Sequence, residues 1–525
     1  MPQADEATTP ADAPAAPAAP PIALELALPP AELARLLRGP ALAAMQAGRA
    51  RSSALQLTWY DTPDGALAGQ GLALELARQR RGARQVLCRV LPPHETAWLP
   101  GTLPPLQAEA RLRAATPDPP AAGLAVDAQL VAIAACHGRQ RILPLAFDGV
   151  PASLAVLDGK LHAVAAEAPF ARLVVTAPAA TALAIAGRLA AEAPLLPAPP
   201  LAEAARALAR NEPPRPARRG PPALSAAMSV EDGLVHAALH LSAAMLAIAP
   251  QVQADAGTEA VHQMRVALRR LRSAFAVWRR AASGDALRGL DQGLRDLARR
   301  LGPVRDRDVF LAGMLAATEE AMAGGGSDRS SALAGLRSGI AAQRATAHRS
   351  LAAWLDSAEF RALVFALLSV VATRGWRHGG ESAAVLETPL PSFAAGVLHR
   401  RHRKLMKEPK NLAEVPVGVL HDMRLRAKRL RYAAEFFAGL FPGGRTKRYL
   451  RRLSDLQEAL GIVNDGAVAA HLVAALPGHA GRAAGARAWA AGAVEGFAAG
   501  RAALARDAAG QAWRKFRKAD PFWTD

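Results

Sequence analysis

One pattern of basic side chains occurs twice in this chain, and it limits what the C-terminal part can be. Residues 262–272 read His-x-x-Arg-x-x-x-Arg-Arg-x-Arg, and residues 421–431 read His-x-x-Arg-x-x-x-Lys-Arg-x-Arg. His421 follows His262 by 159 residues, and the same offset carries Leu301-Gly302 onto Leu460-Gly461 and Asp306 onto Asp465. A register without gaps from His262 to Asp306 marks a duplicated unit rather than chance in an arginine-rich chain. At about 100° per residue on a helix, His262, Arg265, Arg269 and Arg272 share an arc of about 80°. Met264, Leu268, Leu271 and Phe275 form an apolar stripe beside them, while Arg270 points elsewhere. In the second copy His421, Arg424, Lys428 and Arg431 form the stripe, flanked by Met423, Ala427, Leu430 and Ala434. Like charges one turn apart repel. A polyanion lying across two such helices would relieve that repulsion. A single arginine-rich stripe is often only a solvated face; repetition of the whole pattern argues for binding.

Charge locates the same region. The net charge is +19, with +3 in residues 1–224 and +16 in residues 225–525. A field of this sign favours inorganic polyphosphate, nucleic acid or an anionic surface. The only cysteines, Cys88 and Cys136, have no metal-ligand spacing and fit a reducing cytoplasm. No apolar run reaches the roughly 18 residues of a bilayer span, and the N-terminus lacks the basic start and apolar core of a signal peptide. No membrane association is expected.

Residues 1–21 read as a disordered Ala/Pro leader. Short apolar runs then predict strands at 22–28, 55–60, 72–77, 85–91, 129–135, 141–147, 154–157 and 171–176. Helices are predicted at 31–45 and 179–192. Residues 194–224 have linker composition, broken by a short helix at 202–209. From Ser225 onward long amphipathic helices dominate. The chain is therefore expected to be α+β with two domains. The first is an N-terminal antiparallel β-barrel or sheet over 22–193. After the 194–224 linker comes an all-α C-terminal part over 225–525.

Residues 261–272, 301–309, 420–437 and 456–465 together resemble the CHAD domain, the conserved histidine α-helical domain. The likeness extends to Trp513-Arg-Lys-Phe-Arg-Lys and Pro521-Phe-Trp. It implies two four-helix bundles related by a pseudo-twofold axis, with a basic pore or groove that binds inorganic polyphosphate. It also implies a cytoplasmic place, in some members on polyphosphate granules. By position, the ligand-binding side chains are those of the two stripes. Arg400, Arg403, Lys404 and Lys407 add to the groove from the preceding helix. Arg448, Arg451 and Arg452 are weaker candidates that also read as a solvated face. Gly302-Pro303 is expected to end a helix, and Asp306 to cap the next or pair with an arginine.

Leu24-Glu-Leu-Ala-Leu-Pro-Pro-Ala-Glu-Leu33 and Trp59-Tyr-Asp-Thr-Pro-Asp64 resemble the start of a CYTH domain, a triphosphate tunnel barrel. That family's enzymes carry Glu-x-Glu-x-Lys on the first strand. The carboxylates hold a divalent metal and the lysine meets a phosphate. Here Pro21, Ala23 and Glu25 occupy those positions. Leu72-Ala-Leu-Glu75-Leu-Ala77 stands in place of a basic strand, and the late acidic strand reads Arg172-Leu-Val-Val-Thr176. A degenerate scaffold is expected, with no catalytic residue, metal or cofactor. Non-catalytic polyphosphate binding is the leading reading. A metal-dependent triphosphatase or polyphosphatase conflicts with the missing carboxylates. A nucleic-acid binder is the other rival, but neither stripe contains the aromatic platform that single-strand binders use.

Overall fold

The computed structural model describes residues 20–90, 97–103, 106–212, 220–324, 326–377, 383–412, 415–475 and 482–524. The chain is an α+β protein, with an N-terminal antiparallel sheet and a C-terminal helical region. The leader at 1–19 lies outside the described residues.

Among the described residues, nine strands form one sheet in the order β5-β4-β3-β2-β6-β7-β8-β1-β9. They are β1 Ile22–Leu28, β2 Arg51–Asp61, β3 Leu72–Arg78, β4 Ala83–Arg89, β5 Leu106–Leu112, β6 Val131–Phe147, β7 Val150–His162, β8 Glu167–Ala177 and β9 Leu196–Pro197. The expected strands at 129–135 and 141–147 are one strand, because His137-Gly-Arg139 continues the ladder against β7. The predicted helix at 31–45 is broken before Pro40 into short turns at Pro30–Glu32, Leu33–Leu36 and Pro40–Met45. The polar alternation of β5 and the two-residue β9 gave no apolar run to detect.

Period-two alternation sorts β1 into two faces. Leu24, Leu26 and Leu28 join a core with Leu183, Ile185 and Leu189 of helix α1, Ala179–Glu192. Glu25 lies between them on the opposite, concave face. The free edge of β1 pairs with the segment leading to β5. The Glu25 N–H donates to the Gly101 carbonyl at 2.7 Å, and the Leu103 N–H to the Ala23 carbonyl at 2.7 Å. The far end of the strand order thus returns to β1, around a concave cavity of about 980 Å³. Residues 194–212, read as linker, contain β9 and helix α2, Leu201–Arg210. Leu201, Ala202 and Ala205 pack with Trp59 and Phe170 and cover one end of the barrel.

The later helices of ten or more residues are α3 Val230–Gln253, α4 Thr258–Trp278, α5 Asp285–Val309, α6 Ser327–Leu355, α7 Ala358–Ala372, α8 Leu390–Met406, α9 Val417–Phe437, α10 Gly444–Ala474 and α11 Arg482–Arg517. Helices α4 and α9 each span 21 residues, and their starts lie 159 apart in sequence. The starts of α5 and α10 are separated by the same offset. The two halves meet reciprocally. The Val230 N–H donates to the Thr388 carbonyl, and the Leu390 N–H to the Met228 carbonyl, both at 3.0 Å. Trp278 is buried beside this junction, donating Nε1–H to the Val230 carbonyl at 2.8 Å.

Two expectations are corrected here. Pro303 lies inside α5 and does not end it. Leu287, Leu290, Leu294, Leu297, Leu301 and Val304 form one buried seam, whose packing outweighs the backbone bond that proline removes. Asp306 therefore caps nothing; the structural carboxylate of this segment is the buried Asp308, which receives Arg344 Nε at 3.0 Å. Helix α3 is also apolar enough by composition to cross a bilayer, with mean hydropathy 1.5, although no uninterrupted run was seen. Of its most apolar window, 78% is buried inside the fold, as expected of a core helix.

Candidate functional site

The apolar stripes of α4 and α9 dictate where their basic stripes go. Met264, Leu268 and Leu271 of α4 and Met423, Ala427 and Leu430 of α9 are fully buried in the shared core. The flanking cations are thereby held at its edge, and there the two stripes meet. Lys428 is held down at about 8, first by burial and then by the positive charges of Arg269, Arg424 and Arg265. Two of those come from α4 and one from α9, so the four cations occupy one neighbourhood. Tyr432 is its floor. The Arg269 guanidinium carbon lies 4.8 Å from the ring centroid and Lys428 Nζ 6.0 Å. Tyr432 is itself buried. Burial also lowers the pKa of Arg269, whose Nε has no hydrogen-bond partner among the described residues.

The stripes are not uniform. Arg272 pairs with Asp291 of α5 at 3.4 Å, and Arg431 with Glu435 at 2.6 Å. These two occupy equivalent positions of the repeat, so both stripes are neutralised at the same end. Among the described residues, Arg265, Arg269, Arg424 and Lys428 have no carboxylate within ion-pair distance. Gly302 lies beside Arg265: a Cβ there would stand 3.7 Å from Arg265 Nη1, an ordinary contact. His262 is half-buried in the first turn of α4, and His421 is exposed on α9. Its repeat partner for Asp306, Asp465, lies outside the described side chains.

The helix before the second stripe behaves differently from expectation. Arg400 and Lys404 do not line the groove beside Tyr432. With Arg401, also of α8, they line a separate cleft of about 430 Å³. Arg426 and Arg429 of α9 and Arg279 and Arg280, just past α4, complete it. On α9, Arg426 and Arg429 project roughly opposite to Arg424 and Lys428, about 150° away at 100° per residue. Arg403, Lys407, Arg448 and Arg451 are exposed, and none of them lines this cleft. Arg452 donates to the Lys518 carbonyl at 3.0 Å. Sequence reasoning missed this cleft; the signal available was the i,i+3 pair Arg426/Arg429 on the unassigned face of α9.

The barrel cavity carries different chemistry. Glu25 is buried, pushed up to about 7 by burial, with Arg172 Nε at 3.5 Å. Glu75 accepts the Trp59 indole N–H at 2.9 Å, and burial raises its pKa. Burial pushes the Cys88 and Cys136 thiols up to about 12, which leaves them protonated and unreactive at neutral pH.

Residues 236–474 match the family model of the CHAD domain, and this part of the chain is a CHAD domain. Three solved structures are similar. The CHAD domain from the plant Ricinus communis is 26% identical, with a TM-score of 0.48, over 57% of this chain and 96% of that one. PptA from Streptomyces chartreusis is 20% identical, with a TM-score of 0.40, over 55% and 99%. The putative adenylyl cyclase HpAC1 from Hippeastrum, described as having a dominant triphosphatase activity, is 15% identical, with a TM-score of 0.21, over 30% and 79%. No curated protein sequence matches the chain.

Proposed function

We propose that this protein binds inorganic polyphosphate, without hydrolysing it, in the groove between α4 and α9. The observation that carries this reading is the set Arg265, Arg269, Arg424 and Lys428. These cations are brought together from both repeats and share no carboxylate among the described residues. Successive phosphates supply the missing counter-charge, and each guanidinium can take two oxygens of one phosphate. The ring the described residues place in the groove, Tyr432, is buried beneath Arg269 and not open to base stacking. That favours a bare phosphate chain over nucleic acid. The non-catalytic part of the proposal rests on β1, where Ala23 and Glu25 replace a carboxylate and the lysine. Glu25 is already engaged with Arg172.

The test is long-chain polyphosphate binding by the full chain, compared with Arg265→Ala/Arg269→Ala/Arg424→Ala/Lys428→Ala at two salt concentrations. Phosphate release with Mg²⁺ is assayed in parallel, and DNA competes at equal phosphate concentration. The expected result is salt-sensitive binding, weakened at least tenfold in the variant, with no phosphate release and poor competition by DNA. Equal binding by both proteins would leave the stripes as solvated faces.

A further inference from the structure

The cleft between α8 and α9 faces away from the groove, and it gathers more positive charge than helix dipoles and ion pairs account for. Cations at Arg279, Arg280 and Lys404 sit near helix C-termini, where they favourably meet the helix dipole. Arg400, Arg426 and Arg429 do not. Among the described residues, the seven cations have one ion-paired carboxylate, Glu408, which pairs with Arg426. Arg401 donates to the Arg429 carbonyl at 2.6 Å, which fixes one wall. The cations crowd one another: burial lowers the pKa of Arg400 and Arg401, and Arg280 and Arg429 respectively add to it.

The repeat supplies an internal control. One repeat length earlier, the positions of Arg400, Arg401, Lys404 and Arg426 hold Leu241, Ser242, Met245 and Ala267, all buried. Only Arg429 keeps a basic counterpart, Arg270. The chain's own 220–224 segment lies against the edge of that first-repeat surface. The His240 ring meets the Gly220 carbonyl, and the Leu224 carbonyl lies 3.6 Å from where a Cβ on Gly439, the counterpart of Arg280, would stand. One copy of the surface is apolar and closed; the other is open and charged. Duplication alone does not produce that difference.

We propose that this cleft is a second anion site, separate from the α4–α9 groove, that takes a short oligophosphate segment of a few phosphates. Its guanidinium forks converge from three helices on a confined volume, which suits phosphate oxygens spaced a few ångströms apart. None of the described lining residues is aromatic, which favours the phosphate chain itself over a nucleotide base.

The experiment titrates the full chain with tripolyphosphate by calorimetry. It compares wild type with Arg280→Gln/Arg400→Gln/Arg429→Gln in the cleft and Arg265→Gln/Arg424→Gln/Lys428→Gln in the groove. Wild type is expected to show two sites. The cleft variant should lose one, by at least about tenfold, since each lost charge-assisted bond accounts for roughly that factor. The groove variant should retain it. A cleft variant that titrates like wild type, or a groove variant that binds no tripolyphosphate, overturns the proposal. If the groove reading alone fails, the groove variant matches wild type and the cleft variant binds nothing. A readout independent of variant folding is acetylation of Lys404 in wild type, followed by mass spectrometry. Tripolyphosphate should slow it at least threefold, and an unchanged rate counts against the site. ATP separates the two sources of a triphosphate segment: tripolyphosphate should bind at least as tightly, and tenfold tighter ATP binding would overturn the assignment to the free chain.

Discussion

Lys428 is the residue where the groove's electrostatics are most exposed to experiment. Its ammonium is held at about 8 by burial and by Arg269, Arg424 and Arg265, with Tyr432 and Glu435 nearby. A bound polyanion stabilises the charged form and raises that value. Binding therefore takes up a proton above about pH 8 and none well below it. Polyphosphate affinity is expected to be flat from pH 6 to 7.5 and to fall towards pH 9.5, by up to about tenfold per unit. Lys428→Arg, which stays charged, should remove the decline; titration at four pH values checks both statements. Among the stripe residues, Arg265, Arg269, Arg424 and Lys428 were legible from helical spacing. The neutralisation of Arg272 and Arg431 was not, because Asp291 lies on another helix and Glu435 was not read as a partner. Glu25 shows the same limit. The sequence reveals Glu25 where the barrel family its first strand resembles has lysine; only the fold shows Arg172 of β8 beside it.

At the scale of elements, periodicity located most strands and long helices, and failed where packing overruled a local signal. Pro303 reads as a helix end, yet the leucine seam of α5 carries the helix through it. His137-Gly-Arg139 reads as a break, yet β6 runs across it because Gly138 and Gly159 face each other where β6 and β7 come closest. A Cβ on Gly138 would lie 2.0 Å from the Asp158 carbonyl oxygen, and one on Gly159 2.3 Å from that of His137. Both obstacles are backbone, so the strands must separate. Gly138→Ala is expected to lower stability by about 2 kcal/mol or more. Gly335→Ala, on an open face of α6 with nothing within 4 Å, should raise it by up to about 1 kcal/mol. Thermal melting of the two variants decides; a Gly138→Ala variant that melts with wild type would show that the crossing tolerates a side chain.

Across the whole molecule, the sheet and the helical region share one core. Helix α7 packs on α1, with Phe365 3.6 Å from where a Cβ on Gly187 would stand. The buried Arg361 of α7 donates to the Ala190 carbonyl at 2.7 Å and to the Asp356 carbonyl at 2.6 Å. Arg361→Ala strands two carbonyls at this junction and is expected to cost about 2–3 kcal/mol. It should also split the calorimetric melt into separate sheet and helix transitions. A single transition at the wild-type temperature would mean that apolar contacts alone join the two parts. The sequence by itself determined the duplicated helical unit, the stripes, and the absence of a carboxylate pair on β1. These are local facts, carried by residue type and by spacing along one element. Which cations share a groove, which find a carboxylate, and which face of a repeated helix stays open were decided only by tertiary structure. Electrostatic neighbourhood and burial depend on elements that are distant in sequence and become adjacent when the core closes.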